Sequence, residues 1–209
     1  MRDSLIQAMA ELNEDALLAE VRALVEQKVP PLEIIADLQA GITIVGKRFE
    51  AGEYFLAELI AAASLFTEVT KMLGMDVDAD AGAGKGTFVI GTIYGDIHDI
   101  GKNLVVSLMK SNGFRVVDLG VDVPTEKFLA AIREHKPQVV GISGLLTTVY
   151  DHMKECIQAI EQAGLRKDLK IIIGGAAVNE SVREYVKADA VCLTAQQGVD
   201  YCKRLLGVN

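Results

Sequence analysis

Apolar positions recur at three and four residues through the N-terminal third of the chain, which is the spacing of one buried helix face. Over 14–27 they are Leu17, Leu18, Val21, Leu24 and Val25, and Pro30 and Pro31 stop the run. Pro31 suits the first position of a second helix, whose stripe is Leu32, Ile35, Leu38, Ile42, Val45 and Phe49. Gly52 breaks that stripe, and a further helix carries Leu59, Ala63, Phe66 and Leu73 on one face. With a short segment over 4–9, the pattern predicts about four helices joined by short turns, a small bundle.

Beyond residue 86 the pattern changes to short Val/Ile-rich runs that alternate with helical segments. Strands are predicted over 87–93, 114–119, 138–143, 170–174 and 189–193. Helices are expected to start near Lys102, Thr125, Tyr150 and Asn179, with a last one over 196–206. Runs that are apolar on both faces belong to a parallel sheet covered on both sides. Five such strands fit an α/β, flavodoxin-like doubly wound domain, with its switch point between the first and third strands. Between the two patterns, 75–86 is acidic and then Gly-rich, without periodicity, and reads as a linker. The division expected is a helical bundle over 1–74, a linker over 75–86 and a sheet domain over 87–209. The linker is not a phosphate loop. Lys85 is followed by Gly86 rather than Ser or Thr, and the segment precedes a strand instead of following one.

Composition narrows the partners. Half of the 209 residues are apolar, so a sizeable core is available. A formal charge of −8 argues against nucleic acid or an anionic membrane surface as partner. Cys156, Cys192 and Cys202 form no zinc or C-x-x-C spacing and read as buried thiols of a reduced, cytoplasmic protein. The N-terminus has no signal-peptide pattern, and no apolar run reaches the roughly 18 residues of a spanning helix.

The candidate chemistry sits at the switch point. The loop that follows the first strand reads Gly95, Asp96, Ile97, His98, Asp99, Ile100, Gly101, Lys102, Asn103. A ligating His usually gives its second ring nitrogen to a carboxylate, and Asp96 stands two residues before His98. On residue types alone a metal ligand and an ordinary acidic loop with one His both remain open. His135 and His152 lie on helical stretches with no partner pattern and read as surface or packing residues.

Asp96, His98 and Gly101, spaced Asp-x-His-x-x-Gly, resemble the signature of the cobalamin-binding domain. Two further elements of that family follow in order at strand ends: Ser143-Gly144-Leu145 and the pair Gly174-Gly175. The segment 45–56, with Phe49 and Leu56, is similar to the signature of the family's helical domain. The resemblance covers nearly the whole chain. It is nearest to the corrinoid proteins of methyltransferase systems and the matching fragment of methionine synthase.

The resemblance implies a role for each motif. His98 would be the lower axial ligand of cobalt, with Asp96 orienting it. The loop from Gly95 to Gly101, with Ile97, Asp99 and Ile100, would bind the cofactor. Its displaced nucleotide tail would enter a slot lined by Ser143, Leu145, Thr147, Gly174 and Gly175. Phe49 and Leu56 would cap the upper face of the corrin; without the resemblance they read as bundle core. One position departs from methionine synthase, which has a Ser where this chain has Val149. The outer end of the His–Asp relay is then expected to be missing, or supplied by another group such as Thr148 or water.

The function implied is that of a methyl carrier in one-carbon metabolism and anaerobic demethylation, the subunit of a multi-component methyltransferase system rather than a complete enzyme. The cofactor would be cobalamin or a related corrinoid, cycling through methylcobalamin and Co(I) states. A substrate-specific methyltransferase would supply the methyl group. A second methyltransferase would pass it to an acceptor such as tetrahydrofolate or a thiol, and a reductive activase would restore Co(I). The alternative is a sensor or mutase subunit that uses adenosylcobalamin. A response-regulator receiver has the same predicted fold, but its third strand ends in Asp where this one ends in Ser143.

Overall fold

The computed structural model describes residues 2–74 and 85–208; the predicted linker therefore lies largely outside the described residues. The first compact unit contains α1 (Asp3–Ala10), α2 (Glu14–Glu26), α3 (Pro31–Glu50) and α4 (Leu56–Met72). Local chemistry fixes the ends of these helices. Asn13 Oδ1 accepts from the Ala16 amide at 3.2 Å to cap α2. Pro31 occupies the first turn of α3, and Glu58 accepts from the Phe55 amide at 2.7 Å at the start of α4. Leu5, Met9, Leu17, Val21, Ile34, Leu38, Ile42, Val45, Leu59, Phe66 and Val69 form the buried core. Gly41 lets α1 and α3 approach, since a Cβ there would lie 2.6 Å from Met9 Cβ.

Two positions of the predicted stripes are turned outward. Leu32 is 67% exposed while Ile34 is fully buried. At about 100° per residue, Leu32 falls outside the arc that Ile34, Leu38, Ile42 and Val45 define. Val25 lies at the margin of the α2 face and is likewise exposed.

The second unit is a five-stranded sheet with the order β2-β1-β3-β4-β5, every neighbouring pair parallel. Its strands are β1 (Thr87–Thr92), β2 (Arg115–Asp118), β3 (Val139–Ser143), β4 (Lys170–Gly174) and β5 (Ala190–Cys192). Helices α5 (Ile100–Ser111), α6 (Thr125–His135), α7 (Tyr150–Gln162), α8 (Glu180–Val186) and α9 (Ala195–Leu206) connect and close it. A 3₁₀ turn, Thr147–Val149, leads into α7. The predicted doubly wound order is the one observed.

Alternation along the strands assigns the two faces. Val89, Val140, Ile142, Ile171 and Ile173 join Phe128 of α6, Ile157 of α7 and Val182 of α8 in one core. The intervening positions face α5 and α9. A Cβ on Gly198 of α9 would touch Met109 of α5 and Ile172 of β4, so these two helices meet over that face. At the C-terminal end of the same face, strand register aligns Thr92, Ser143, Gly174 and Cys192 in a row. All four are small, and they leave room where larger side chains fill the sheet below. Cys156 and Cys202 are buried as expected, but Cys192 is only half-buried because it ends an edge strand.

Candidate functional site

The site begins where β1 and β3 diverge, the switch point of this strand order. The chain leaves β1 through an isolated bridge between Ile93 and Val123 and enters the loop 94–99. Gly95 has a φ of +85°, a conformation glycine adopts freely, and a Cβ there would crowd the His152 ring at 3.3 Å. The Thr92 hydroxyl donates to the His98 carbonyl at 2.9 Å and holds the far end of the loop.

Asp96 organises this loop. It is 1% exposed, and each carboxylate oxygen has two partners. Oδ1 meets His98 Nδ1 at 2.6 Å and accepts from the His98 amide at 3.0 Å. Oδ2 accepts from the amides of Leu145 and Leu146 at 2.6 and 3.1 Å. Burial alone would raise its pKa, but the four hydrogen bonds outweigh burial and hold the carboxyl down at about 2. An ionised Asp96 accepts a hydrogen bond from Nδ1–H, which leaves the Nε2 lone pair of a half-exposed imidazole for a ligand.

The outer end of the relay falls to another group than the Thr148 hydroxyl: two backbone amides of the β3 loop donate to Asp96. Val149 is 1% exposed and belongs to the core beneath α7.

The other predicted residues gather at the same edge of the sheet. Ser143 ends β3, Leu145 and exposed Thr147 follow it, and Gly174 ends β4. Gly175 has a φ of +124°, and a Cβ there would lie 2.1 Å from the Gly144 carbonyl, so close backbone packing alone requires glycine. Gly101, in contrast, has open space around the position of a Cβ. Tyr94, Ile97, Ile100, Leu145, Leu146 and Leu193 are all exposed, an apolar surface around His98 of the kind that marks a binding face. In the helical unit Phe49 is half-buried and Leu56 is 43% exposed, so neither belongs to the bundle core.

Three contributors escaped the sequence pattern. Lys102 is 3% exposed, pairs with Asp118 at 2.6 Å and donates to Asn103 at 2.7 Å, which fastens the first turn of α5 to the end of β2. His152 bonds the Tyr94 carbonyl at 2.9 Å and meets the Tyr94 ring edge-on, so it packs against the His98 loop. Gln196, in the first turn of α9, is 2% exposed; its Nε2 donates to Asp200 at 2.9 Å, while its Oε1 has no hydrogen-bond partner among the described residues. A buried amide among charged and apolar neighbours gives no periodic signal that would have singled it out.

Sheet order and loop chemistry together define a doubly wound α/β binding domain preceded by a helical bundle. Family comparison gives the same division: a model described as B12 binding domain matches residues 86–201, and a second with that description matches residues 1–73. The chain is 36% identical to dimethylamine corrinoid protein 2 of Methanosarcina mazei over 98% of both chains. A crystal structure of a cobalamin-binding protein from Desulfitobacterium hafniense superposes with a TM-score of 0.83 at 38% identity, covering 97% of each chain. The methanol:cobalamin methyltransferase complex MtaBC of Methanosarcina barkeri includes a chain that matches at a TM-score of 0.82 and 29% identity, over 99% of this chain and 79% of that one. The chain belongs to the B12-binding corrinoid proteins related to methyltransferase components. Its cofactor class is therefore cobalamin with its cobalt, and its chemistry is that of methyl transfer. No described helix is long and apolar enough to cross a membrane.

Proposed function

We propose that this protein is the methyl carrier of a multi-component methyltransferase system, taking a methyl group from a substrate-specific methyltransferase and giving it to a second one that serves tetrahydrofolate or a thiol. The observation that carries this reading is the His98–Asp96 pair, held at the switch point by the Leu145 and Leu146 amides. Relatives named for dimethylamine and methanol support it, and their variety supports a donor choice made by the partner enzyme.

The residues fit a corrinoid. A neutral imidazole with its Nδ1 proton held by a carboxylate is a suitable nitrogen donor for cobalt. The exposed apolar surface around it suits a broad macrocycle. The row Thr92, Ser143, Gly174 and Cys192, small side chains at the C-terminal end of the sheet, suits a polar tail slotted between sheet and helices. When bound, the corrinoid supplies the metal that takes up and releases the methyl group.

The chain's own residues then divide the work. His98 Nε2 would hold the metal, and Asp96 keeps the imidazole in one tautomer and orientation. Gly95, Ile97, Asp99, Ile100 and Gly101 form the floor, and Gly101 leaves space that any side chain would reduce. Ser143, Leu145, Thr147, Gly174 and Gly175 line the slot. Phe49 and Leu56 would cover the bound corrinoid at rest and exclude water and oxidants. A reductive activase is the third partner, returning an oxidised carrier to the methyl-accepting state.

Reconstitution with hydroxocobalamin, followed by desalting, tests the proposal. The wild type should retain the corrin absorbance, and His98→Ala should retain it with an altered visible spectrum. Complete loss of cofactor from the folded wild type would sink the reading. An unchanged spectrum in His98→Ala would remove the axial-ligand role alone. Methyl- and Co(I) forms should support transfer with partner enzymes; a strict requirement for adenosylcobalamin would point to a mutase or sensor.

A further inference from the structure

Among the described residues Gln196 combines three features: it is almost fully enclosed, the nitrogen of its amide is bonded to Asp200, and the oxygen is unused. Asp200 can only accept, so the nitrogen of the Gln196 amide is the atom turned toward it at 2.9 Å. The oxygen is thereby assigned to the opposite side, where no donor of the described residues reaches it. An unmade hydrogen bond at a buried acceptor is costly and calls for a reason.

Its place in the fold supplies that reason. Gln196 lies two residues before Gly198, which packs on Met109 of α5 and Ile172 of β4. Ile172 precedes Gly174 on the same face of β4, and Gly174 stands beside Ser143 and Cys192 in the row of small residues. Two residues, Leu193 and Thr194, join the end of β5 to the first turn of α9. The unpartnered oxygen thus belongs to the turn that follows the C-terminal end of the sheet, the end at which the small-residue row lies.

We infer that Gln196 Oε1 accepts a hydrogen bond from an N–H or O–H group on the nucleotide tail of the bound corrinoid, and that it selects corrinoids by that tail. The inference rests on the corrinoid reading above. The shared chemistry is a single donor group, which the ribose hydroxyl or an amino substituent of the lower base can provide. Asp200 is the positioning residue, because it keeps the amide from turning over.

The test is equilibrium binding of three probes, followed by absorbance: cobalamin, the adenine-based pseudocobalamin, and cobinamide, which lacks the nucleotide. Gln196→Met replaces the amide with an apolar chain of similar size. It should weaken both nucleotide-bearing probes by about tenfold or more and leave cobinamide unchanged. An equal loss for both identifies a donor common to the nucleotide; a larger loss for pseudocobalamin identifies the base amino group. The cofactor-free variant should also unfold at a higher temperature than wild type, because it no longer buries an unsatisfied oxygen. A purely structural role would lower that temperature. Asp200→Ala, at a half-exposed site, should lose part of the same selectivity and serves as the second variant if Gln196→Met fails to fold. Unchanged binding in both variants, or equal losses for all three probes, would overturn the inference. Failure of the wild type to bind any probe would instead overturn the corrinoid reading itself.

Discussion

Asp96 and Leu145 lie 49 positions apart in the chain and 2.6 Å apart in the fold, carboxylate oxygen to backbone amide. The bond joins the loop after β1 to the loop after β3 and fixes the carboxylate that faces His98. It depends on an oxygen that only accepts. Asp96→Asn keeps the size but presents an amide nitrogen either to the Leu145 and Leu146 N–H groups or to the His98 side. We expect a loss of about 1–3 kcal/mol in the stability of the cofactor-free protein, measured by urea unfolding. Equal stability of variant and wild type would show that the loops do not need this bridge.

Gly101 and Gly175 should respond in opposite ways to the same substitution. Gly175→Ala places a methyl against the Gly144 carbonyl at a φ of +124° and should destabilise the fold by more than about 2 kcal/mol. Gly101→Ala meets nothing within 4 Å and lies in a helix, so the cofactor-free protein should be unchanged or up to about 1 kcal/mol more stable. Corrinoid binding by Gly101→Ala should nevertheless weaken. Thermal unfolding and cobalamin titration of the two variants, run side by side, check both statements.

Lys102→Met removes the buried member of an ion pair whose other member, Asp118, is exposed. Asp118 keeps the Gly120 amide at 2.9 Å and some contact with solvent, so the loss should be moderate, about 1–3 kcal/mol by chemical denaturation. Hydrogen exchange should increase first in the opening turn of α5, and a uniform increase across the sheet would contradict a local fastening.

Asp189 gives the pH dependence a sign. Burial would raise its pKa, but the Ile171 amide, Arg166 and Lys170 together lower it below the usual carboxylate value. A depressed carboxylate stabilises the fold fully above its unfolded pKa of about 4, and the contribution is lost as pH falls through the lower folded value. Asp189→Asn should therefore be less stable than wild type at pH 7, with the gap closing as the pH is lowered toward 3. A gap that widens on acidification would reverse the assignment.

Much of this arrangement was legible from residue types. The Val/Ile runs gave five parallel strands because a sheet covered on both faces leaves no polar alternation. The loop holding His98, and the small residues Ser143 and Gly174, could be placed at strand ends for the same reason. What escaped reading has a common cause. The amides of Leu145 and Leu146 are backbone groups, which every residue has, so no letter marks them as the partners of Asp96. Lys102 and Gln196 are polar residues on helices, where the default expectation is a solvated face; only packing shows that they are enclosed. Leu32 and Val25 failed in the other direction, as apolar letters near the margin of a helical arc.

The row formed by Thr92, Ser143, Gly174 and Cys192 exists because three parallel pairings hold one register. Shifting any of these strands by a single residue would exchange its two faces, and in one of the two directions it would send Ile93, Ile142, Ile173 or Val191 into the row. An insertion or deletion inside β1, β3 or β4 can therefore leave a folded sheet whose row is filled. Residues added in the loops at the opposite, N-terminal edge would leave the row intact, so this architecture bears changes of length there and not within its strands.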